Sequence, residues 1–374
     1  NEGVITPEYG YPCGGAYTLC GHGKPRCTHA GNGHAANVRL SIANSCNAYY
    51  AHVYRLTVDN PKYGNVKNGY LQWRKYMNTF GLGVRLGLDI PNEIPGLIPD
   101  TSVYNKENAN HWTSCTNLTL GIGQDKMLTT PLQMANAMCI IANRGYYYTP
   151  HFVEKIDGET DEDTTLMNRF RIKHDVLTHI PDTAFNAVIE GMNDVVKFGT
   201  AKNARIPNIE VCAKTGTAEN YTIQDGRRIK LPNNSMFVCF APKENPKIAI
   251  AVFVQNAGFG ATWAGPISRL MMEKYLNDTL MPKSKEDLER ITKTNLMPAY
   301  FKRAQYKEDS IRAFKWYQTT KDSSYIKRYV QADVKKSNAP MPAGKNKPVK
   351  NNEAMMAMLP DRHSFVKTVG SKKS

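Results

Sequence analysis

The chain has 374 residues, 41% of them hydrophobic and 10% aromatic, enough to bury one large core or two ordinary ones. No run of eighteen apolar residues occurs, and Asn1-Glu2-Gly3-Val4-Ile5-Thr6-Pro7 lacks the basic start and apolar stretch of a signal peptide, so any anchor or export signal is expected upstream. The net charge of +15 belongs to the end of the chain: residues 283–374 hold 21 Lys/Arg against 9 Asp/Glu, and with no zinc-finger, RNP or helix-turn-helix pattern this basicity is read as a solvated or membrane-surface segment, not a nucleic-acid binder.

Residues 1–38 are rich in Gly, Cys, His and Tyr with no steady period, which predicts a loop held by cross-links or metal. Cys13, Cys20, Cys27 and Cys46 crowd there with His22, His29 and His34. The other four cysteines, Cys115, Cys139, Cys212 and Cys239, stand singly in apolar surroundings and read as small buried hydrophobes. Ile42, Ala43, Cys46, Tyr49, Tyr50, Val53 and Leu56 recur at helical spacing and put Ser45-Cys46-Asn47 at or near a helix start. A second helix is expected over 66–80 with Gly81 as its stop, then a long irregular excursion over 83–117. Over 131–144, Thr130 can cap, Pro131 fits the first helical position, Leu132, Ala135, Met138 and Cys139 are expected to face inward, and Gly145 closes the helix.

Another helix spans Asp182 to Lys197 with Phe185, Val188, Ile189, Met192 and Val196 as its stripe. Strands follow at Glu210–Lys214, Met236–Phe240 and Ile248–Gln255, the last two joined through Pro242-Lys243-Glu244-Asn245-Pro246, and a helix over Ile267–Leu276 closes the unit. The fold class is α/β of the α+β type, an antiparallel sheet covered by helices. Residues 1–282 form the domain, 283–337 a basic and partly helical extension, and 338–374 a disordered basic tail.

Lys214-Thr215-Gly216-Thr217, paired with Ser45-Cys46-Asn47 far upstream, gives two of the three motifs of penicillin-recognising serine acyltransferases. Acyl transfer at serine needs a nucleophile, a base, a proton path to the leaving nitrogen and donors aimed at the oxyanion. Ser45 is suited to pass a proton to the leaving amine, Asn47 to bind the substrate amide, and Lys214 to attract a carboxylate and polarise Ser45. Thr215 and Thr217 hydroxyls can bind that carboxylate, Gly216 lets the strand backbone approach a ligand, and the Thr217 amide suits the oxyanion. A given tripeptide appears by chance in a chain this long roughly one time in twenty, so the ordered context carries the reading: helix-borne Ser-x-Asn, a helical region, then the Lys-Thr-Gly strand, a hairpin and a final helix.

With those motifs the chain resembles the class B penicillin-binding proteins, and among them the elongation-type group, over residues 1–282. The resemblance extends through Glu2–Pro7, Ser45–Tyr50, Gly121-Ile122-Gly123-Gln124, Thr130–Ala135, Ala142–Gly145, Gly199-Thr200-Ala201, Ile209–Thr217 and Ala241–Ala249. It implies the penicillin-binding, serine-β-lactamase-like fold and a D,D-transpeptidase that cross-links peptidoglycan stem peptides and is acylated by β-lactams. An inner-membrane anchor upstream, a periplasmic catalytic domain and a membrane-embedded glycan polymerase as partner are implied with it. No cofactor is required for such catalysis. Relatives are similar to a group with a zinc site beside the Ser-x-Asn motif, and the matching positions are Cys13, Cys27, His34 and Cys46, with His29 as a substitute for His34 and with a disulfide such as Cys20 to Cys27 or Cys13 as the alternative.

The Ser-x-x-Lys that should carry the nucleophile N-terminal to Ser45 is missing from this chain, because the only serine in residues 1–44 is Ser41, followed by Asn44. The formal match Ser324-Tyr325-Ile326-Lys327 lies C-terminal to Lys214, in the wrong order. The chain alone is therefore expected to be inactive, with three of the usual five strands and an exposed sheet edge. A non-catalytic penicillin-binding sensor or scaffold is the competing reading, with a β-lactamase or D,D-carboxypeptidase behind it.

Overall fold

The helix expected from Ile42 to Leu56 is two helices with the Ser45 joint between them: α1 (Val38–Ala43) and α2 (Asn47–Val58). The computed structural model describes residues 2–21, 23–29, 33–158, 160–176, 180–224 and 226–321 and divides the chain into units 1–298 and 299–374. Asn37 caps α1 by accepting from the Leu40 amide, and Ser45 stands in the left-handed region at φ +53°, where no helix can continue. The apolar periodicity runs through the break because both helices face cores, but they face different ones.

Helix α3 (Val66–Thr79) begins at the Asn65 cap and ends, as expected, before Gly81 at φ +83°. The 83–117 excursion is not wholly irregular, since Asp100 caps a short helix α4 (Thr101–Glu107). It is pinned by side chains: Glu93 accepts the amides of Leu86, Gly87 and Leu88, and Gln133 donates to the carbonyls of Val84 (2.7 Å) and Pro95 (2.8 Å). Gln133 belongs to α5 (Pro131–Ala142), whose capping box pairs Thr130 with Gln133. The buried face of α5 is Gln133, Asn136, Ala137, Met138 and Ile140; of the expected stripe Met138 is buried, while Leu132, Ala135 and Cys139 are half-buried. Gln133 goes inward because it satisfies loop carbonyls that packing alone would leave unpaired.

Strand β1 (Tyr146–Tyr148) pairs with β2 (Lys173–Asp175) on either side of helix α6 (Asp161–Asn168). Helix α7 (Asp182–Lys197) buries Phe185, Ile189, Met192 and Val196, with Val188 half-buried. The main sheet has order β3-β4-β5, all antiparallel: β3 (Cys212–Gln224), β4 (Arg227–Ala241) and β5 (Ile248–Val254). Strands β3 and β4 run about ten residues past the expected ends, forming a long hairpin with a bulge between Ala218 and Asn220. Helix α8 (Ala264–Asn277) covers one face, where Cys239 meets Met272; α7 covers the other, where Cys212 Sγ reaches the Ile189 carbonyl. Sheet alternation puts Cys212 and Lys214 on the same face, toward α7 and α1.

One core joins the sheet to α7, α5, α8 and Ile42 of α1. A second gathers Cys46, Ala48, Tyr49 and Tyr54 of α2 with Tyr70, Trp73, Tyr104 and Trp112. The Ser45 joint lies where the two meet. Helix α9 (Pro282–Lys293), beyond the limit drawn at 282, belongs to the first unit: the buried Arg269 of α8 pairs with Asp287, and Ser284 donates to the buried Glu273. In the second unit the described residues form α10 (Ala299–Thr320), within the expected extension. The tail 338–374 and Ser324–Lys327 lie outside the described residues.

Candidate active site and thiol cluster

Lys214 and Ser45, 169 residues apart in sequence, meet side chain to side chain: Lys214 Nζ donates to Ser45 Oγ at 2.6 Å and to its neighbour Thr215's carbonyl at 3.0 Å. Their meeting follows from local structure. Ser45's left-handed turn lifts its hydroxyl out of the helical path, while β3 carries Lys214 on the face toward α1. Burial lowers the Lys214 pKa from 10.5 to about 8. Arg39 of α1 locks the joint from behind through a two-pronged ion pair with the buried Asp194 of α7.

Asn47 is the first residue of α2, and its Nδ2 donates to the Arg26 carbonyl at 2.7 Å. The amide is thereby oriented by the N-terminal loop, a contact that motif reading gave no means to find. Thr215 Oγ1 lies 2.9 Å from Thr200 Oγ1. A side chain on Gly216 would stand 3.2 Å from Met236 Cβ, so packing against β4 also keeps this position small. Thr217 sits opposite Ser235 in the hairpin register. All six motif residues, Ser45, Asn47, Lys214, Thr215, Gly216 and Thr217, thus lie at the α1–α2 joint or along the adjoining strand.

The N-terminal loop brings Cys13 Sγ within 3.6 Å of Cys27 Sγ, and Cys27 Sγ within 3.9 Å of Cys46 Sγ. Cys46 is the N-cap position of α2 yet makes no side-chain cap; the Ala48 amide is instead taken by Cys27 Sγ at 3.4 Å. Hydrogen bonding from Cys46, with the Ala48 amide and Cys13 adding to it, pushes the Cys27 thiol below its ordinary value, while the same contact with Cys27 and burial push Cys46 up. His29 and His34 lie beside Cys13, their ring centroids 3.6 Å apart. Both nitrogens of His29 and Nε2 of His34 are buried without a partner among the described residues. The ligand atoms form two groups that share Cys13: Cys13, Cys27 and Cys46 in one, and Cys13, His29 and His34 in the other. Thiols and unpaired ring nitrogens are the donor chemistry of a zinc site, but His34 is not gathered with all three thiols into one four-ligand set.

The disulfide is not among the pairs expected. Cys20 bonds Cys115, 95 residues away, with a Cα–Cα distance of 5.6 Å. Cys115 is therefore no buried hydrophobe but the anchor that ties the N-terminal loop to the end of the excursion; Cys139, Cys212 and Cys239 remain free. A second formal Ser-x-x-Lys, Ser364-Phe365-Val366-Lys367, escaped motif reading; like Ser324–Lys327 it follows Lys214 and lies outside the described residues.

A model of the penicillin binding protein transpeptidase domain matches residues 1–273. The peptidoglycan D,D-transpeptidase MrdA of Haemophilus influenzae is 29% identical over 297 residues, which cover 75% of this chain and 42% of that protein. Among solved structures, Pseudomonas aeruginosa PBP2 in complex with WCK 5153 superposes with a TM-score of 0.59 at 26% identity, over 75% of this chain and 57% of that one. A peptidoglycan synthase complex described as coordinating polymerization and crosslinking superposes at 0.58 with 26% identity, over 75% of this chain and 44% of that one. The chain thus spans less than half the length of the curated relative.

Proposed function

Because the chain belongs to the penicillin binding protein transpeptidase family, we propose that it supplies the Ser-x-Asn and Lys-Thr-Gly side of a peptidoglycan D,D-transpeptidase active site. Such an enzyme cross-links stem peptides through a serine acyl-enzyme and is acylated by β-lactams. The observation that carries the reading is the 2.6 Å contact between Lys214 Nζ and Ser45 Oγ, which joins the two motifs into one proton-handling pair.

The attacking serine belongs to a Ser-x-x-Lys expected upstream of Ser45. As its oxygen bonds to the substrate carbonyl it gives up its proton to the lysine of that same upstream Ser-x-x-Lys, and the negative charge gathering on the carbonyl oxygen is received by the Thr217 amide. Collapse breaks the peptide C–N bond, and Ser45 Oγ passes its proton to the leaving nitrogen while Lys214 resupplies Ser45. A lysine lowered to about 8 can give up that proton near neutral pH, where an ordinary lysine would hold it. Asn47 spends its Nδ2 on Arg26, which leaves Oδ1 to accept from the substrate amide. Thr215 and Thr217 take the terminal carboxylate, drawn in by the charge of Lys214.

Cys13, Cys27 and Cys46 with His34 would hold zinc in a structural role, since four protein ligands leave no open position. The metal would tie the loop carrying Arg26 to the start of α2; zinc measured in the reduced, purified protein tests this, and its absence with the thiols oxidised in pairs overturns it. An upstream segment anchors the enzyme in the inner membrane with this domain in the periplasm, where the Cys20–Cys115 bond can persist. A membrane-embedded glycan polymerase is its partner, as the neighbour described as a peptidoglycan synthase supports. Beyond α9, the residues up to 337 and then 338–374 are a basic extension and tail of the domain.

Fluorescent-penicillin labelling of the full-length gene product, with peptide mapping of the adduct, tests the reading. An adduct on a serine upstream of Asn1, lost in Lys214→Ala, supports it. A folded product that takes no label favours the sensor or scaffold.

A further inference from the structure

Gly199-Thr200-Ala201 is a strap between the two motif segments. It leaves the end of α7 and presses so closely on α1 that a Cβ on Gly199 would stand 2.3 Å from the Ala43 carbonyl oxygen. The Thr200 amide donates to that same oxygen at 3.2 Å, two residues before Ser45, and the Ala201 amide returns to Val195 at 2.9 Å. The main chain of Thr200 is therefore fixed to the segment that carries Ser45. Its side chain points the other way, to the Thr215 hydroxyl at 2.9 Å; Thr200 is exposed and Thr215 half-buried.

We propose that Thr200 is a positioning residue for carboxylate recognition: its hydroxyl donates to Thr215 Oγ1 and so leaves the single Thr215 proton free to donate to the ligand's carboxylate. A hydroxyl has one proton and two lone pairs, and a carboxylate only accepts. With an anion bound, the direction of the chain is fixed as Thr200 O–H to Thr215 O–H to carboxylate, each bond polarising the next. Without Thr200, the Thr215 hydroxyl loses its donor and is free to rotate away. This assignment rests on the proposed transpeptidase reading.

The test uses the full-length product and compares the second-order rate of acylation by benzylpenicillin with that by its methyl ester, in which the carboxylate is masked. Thr200→Val is expected to slow the acid about tenfold, the size of one charge-assisted hydrogen bond, and to leave the ester unaffected; Thr200→Ser should restore the acid rate. The Ala43 contact is made by main chain and survives both changes, which an unchanged melting temperature checks, with Thr200→Ala as a second variant. An acid-to-ester ratio that stays at the wild-type value in Thr200→Val and Thr200→Ala, whether both rates hold or fall together, overturns the assignment. A wild-type protein acylated by neither compound would instead overturn the transpeptidase reading, and this assignment with it.

Discussion

Replacing Lys214 by Met should make the protein more stable at neutral pH while removing the proton-handling pair. The unbranched Met fills the space of the lysine stem without an ammonium. Holding the Lys214 pKa at about 8 instead of 10.5 corresponds to roughly 3 kcal/mol of cost for burying the charged form, at 1.36 kcal/mol per tenfold. Against this stand the bonds to Ser45 Oγ and the Thr215 carbonyl, each contributing about 1 kcal/mol. The balance favours Met by about 1 kcal/mol at pH 7. The sign with pH follows from proton binding. Between pH 8 and 10.5 the unfolded chain keeps the Lys214 proton that the folded one releases, so wild-type stability rises with pH across that window and the variant's does not. Urea unfolding of both proteins at pH 7, 8, 9 and 10.5 measures the difference. A variant advantage at pH 7 that disappears and then reverses by pH 10.5 is expected. A variant already less stable at pH 7, with a pH-independent gap, would refute the claim that Lys214 is held at an energetic cost.

Gly199→Ala drives a Cβ to 2.3 Å from the Ala43 carbonyl oxygen and should destabilise the fold by about 1–3 kcal/mol, read as a lower urea midpoint. Breaking the Arg39–Asp194 pair by Arg39→Ala should cost about 3–5 kcal/mol, because the buried Asp194 carboxylate is left without its partner; an unchanged melting temperature would contradict this. Cys20→Ser with Cys115→Ser removes the link across 95 residues and should lower stability by about 2–4 kcal/mol, with the same loss on reducing the wild type.

Helices with their own signals were legible in the sequence: α5 carries its capping box in Thr130 and Gln133, and α7 its full apolar stripe. The helix start at Ser45-Cys46-Asn47 was legible and Asn47 opens α2; the separate helix α1 before it was not, because the residues on both sides are apolar at helical spacing and a left-handed serine has no compositional mark. The long hairpin was shortened because Glu219, Asn220, Lys230, Pro232 and Asn233 are poor strand formers: Asn220 and Lys230 are held in register by the β3–β4 ladder itself, and Glu219, Pro232 and Asn233 fall in the bulge. Cys115 was misplaced for a different reason: its partner is 95 residues away, and only tertiary structure brings the two together. The motif residues were found because chemistry fixes their identity. Their supports, Arg26, Thr200 and Asp194, act through main chain, a second hydroxyl or a buried ion pair, none of which makes a pattern along the sequence.

The most direct measurement is turnover of a pentapeptide-bearing glycan substrate by the full-length product, with released D-alanine and cross-linked dimers counted together by mass spectrometry. D-alanine is expected to be released in step with dimers, both abolished by Lys214→Ala. D-alanine released without dimers would make the enzyme a carboxypeptidase, and no release from a folded, metal-replete protein would contradict the catalytic reading altogether.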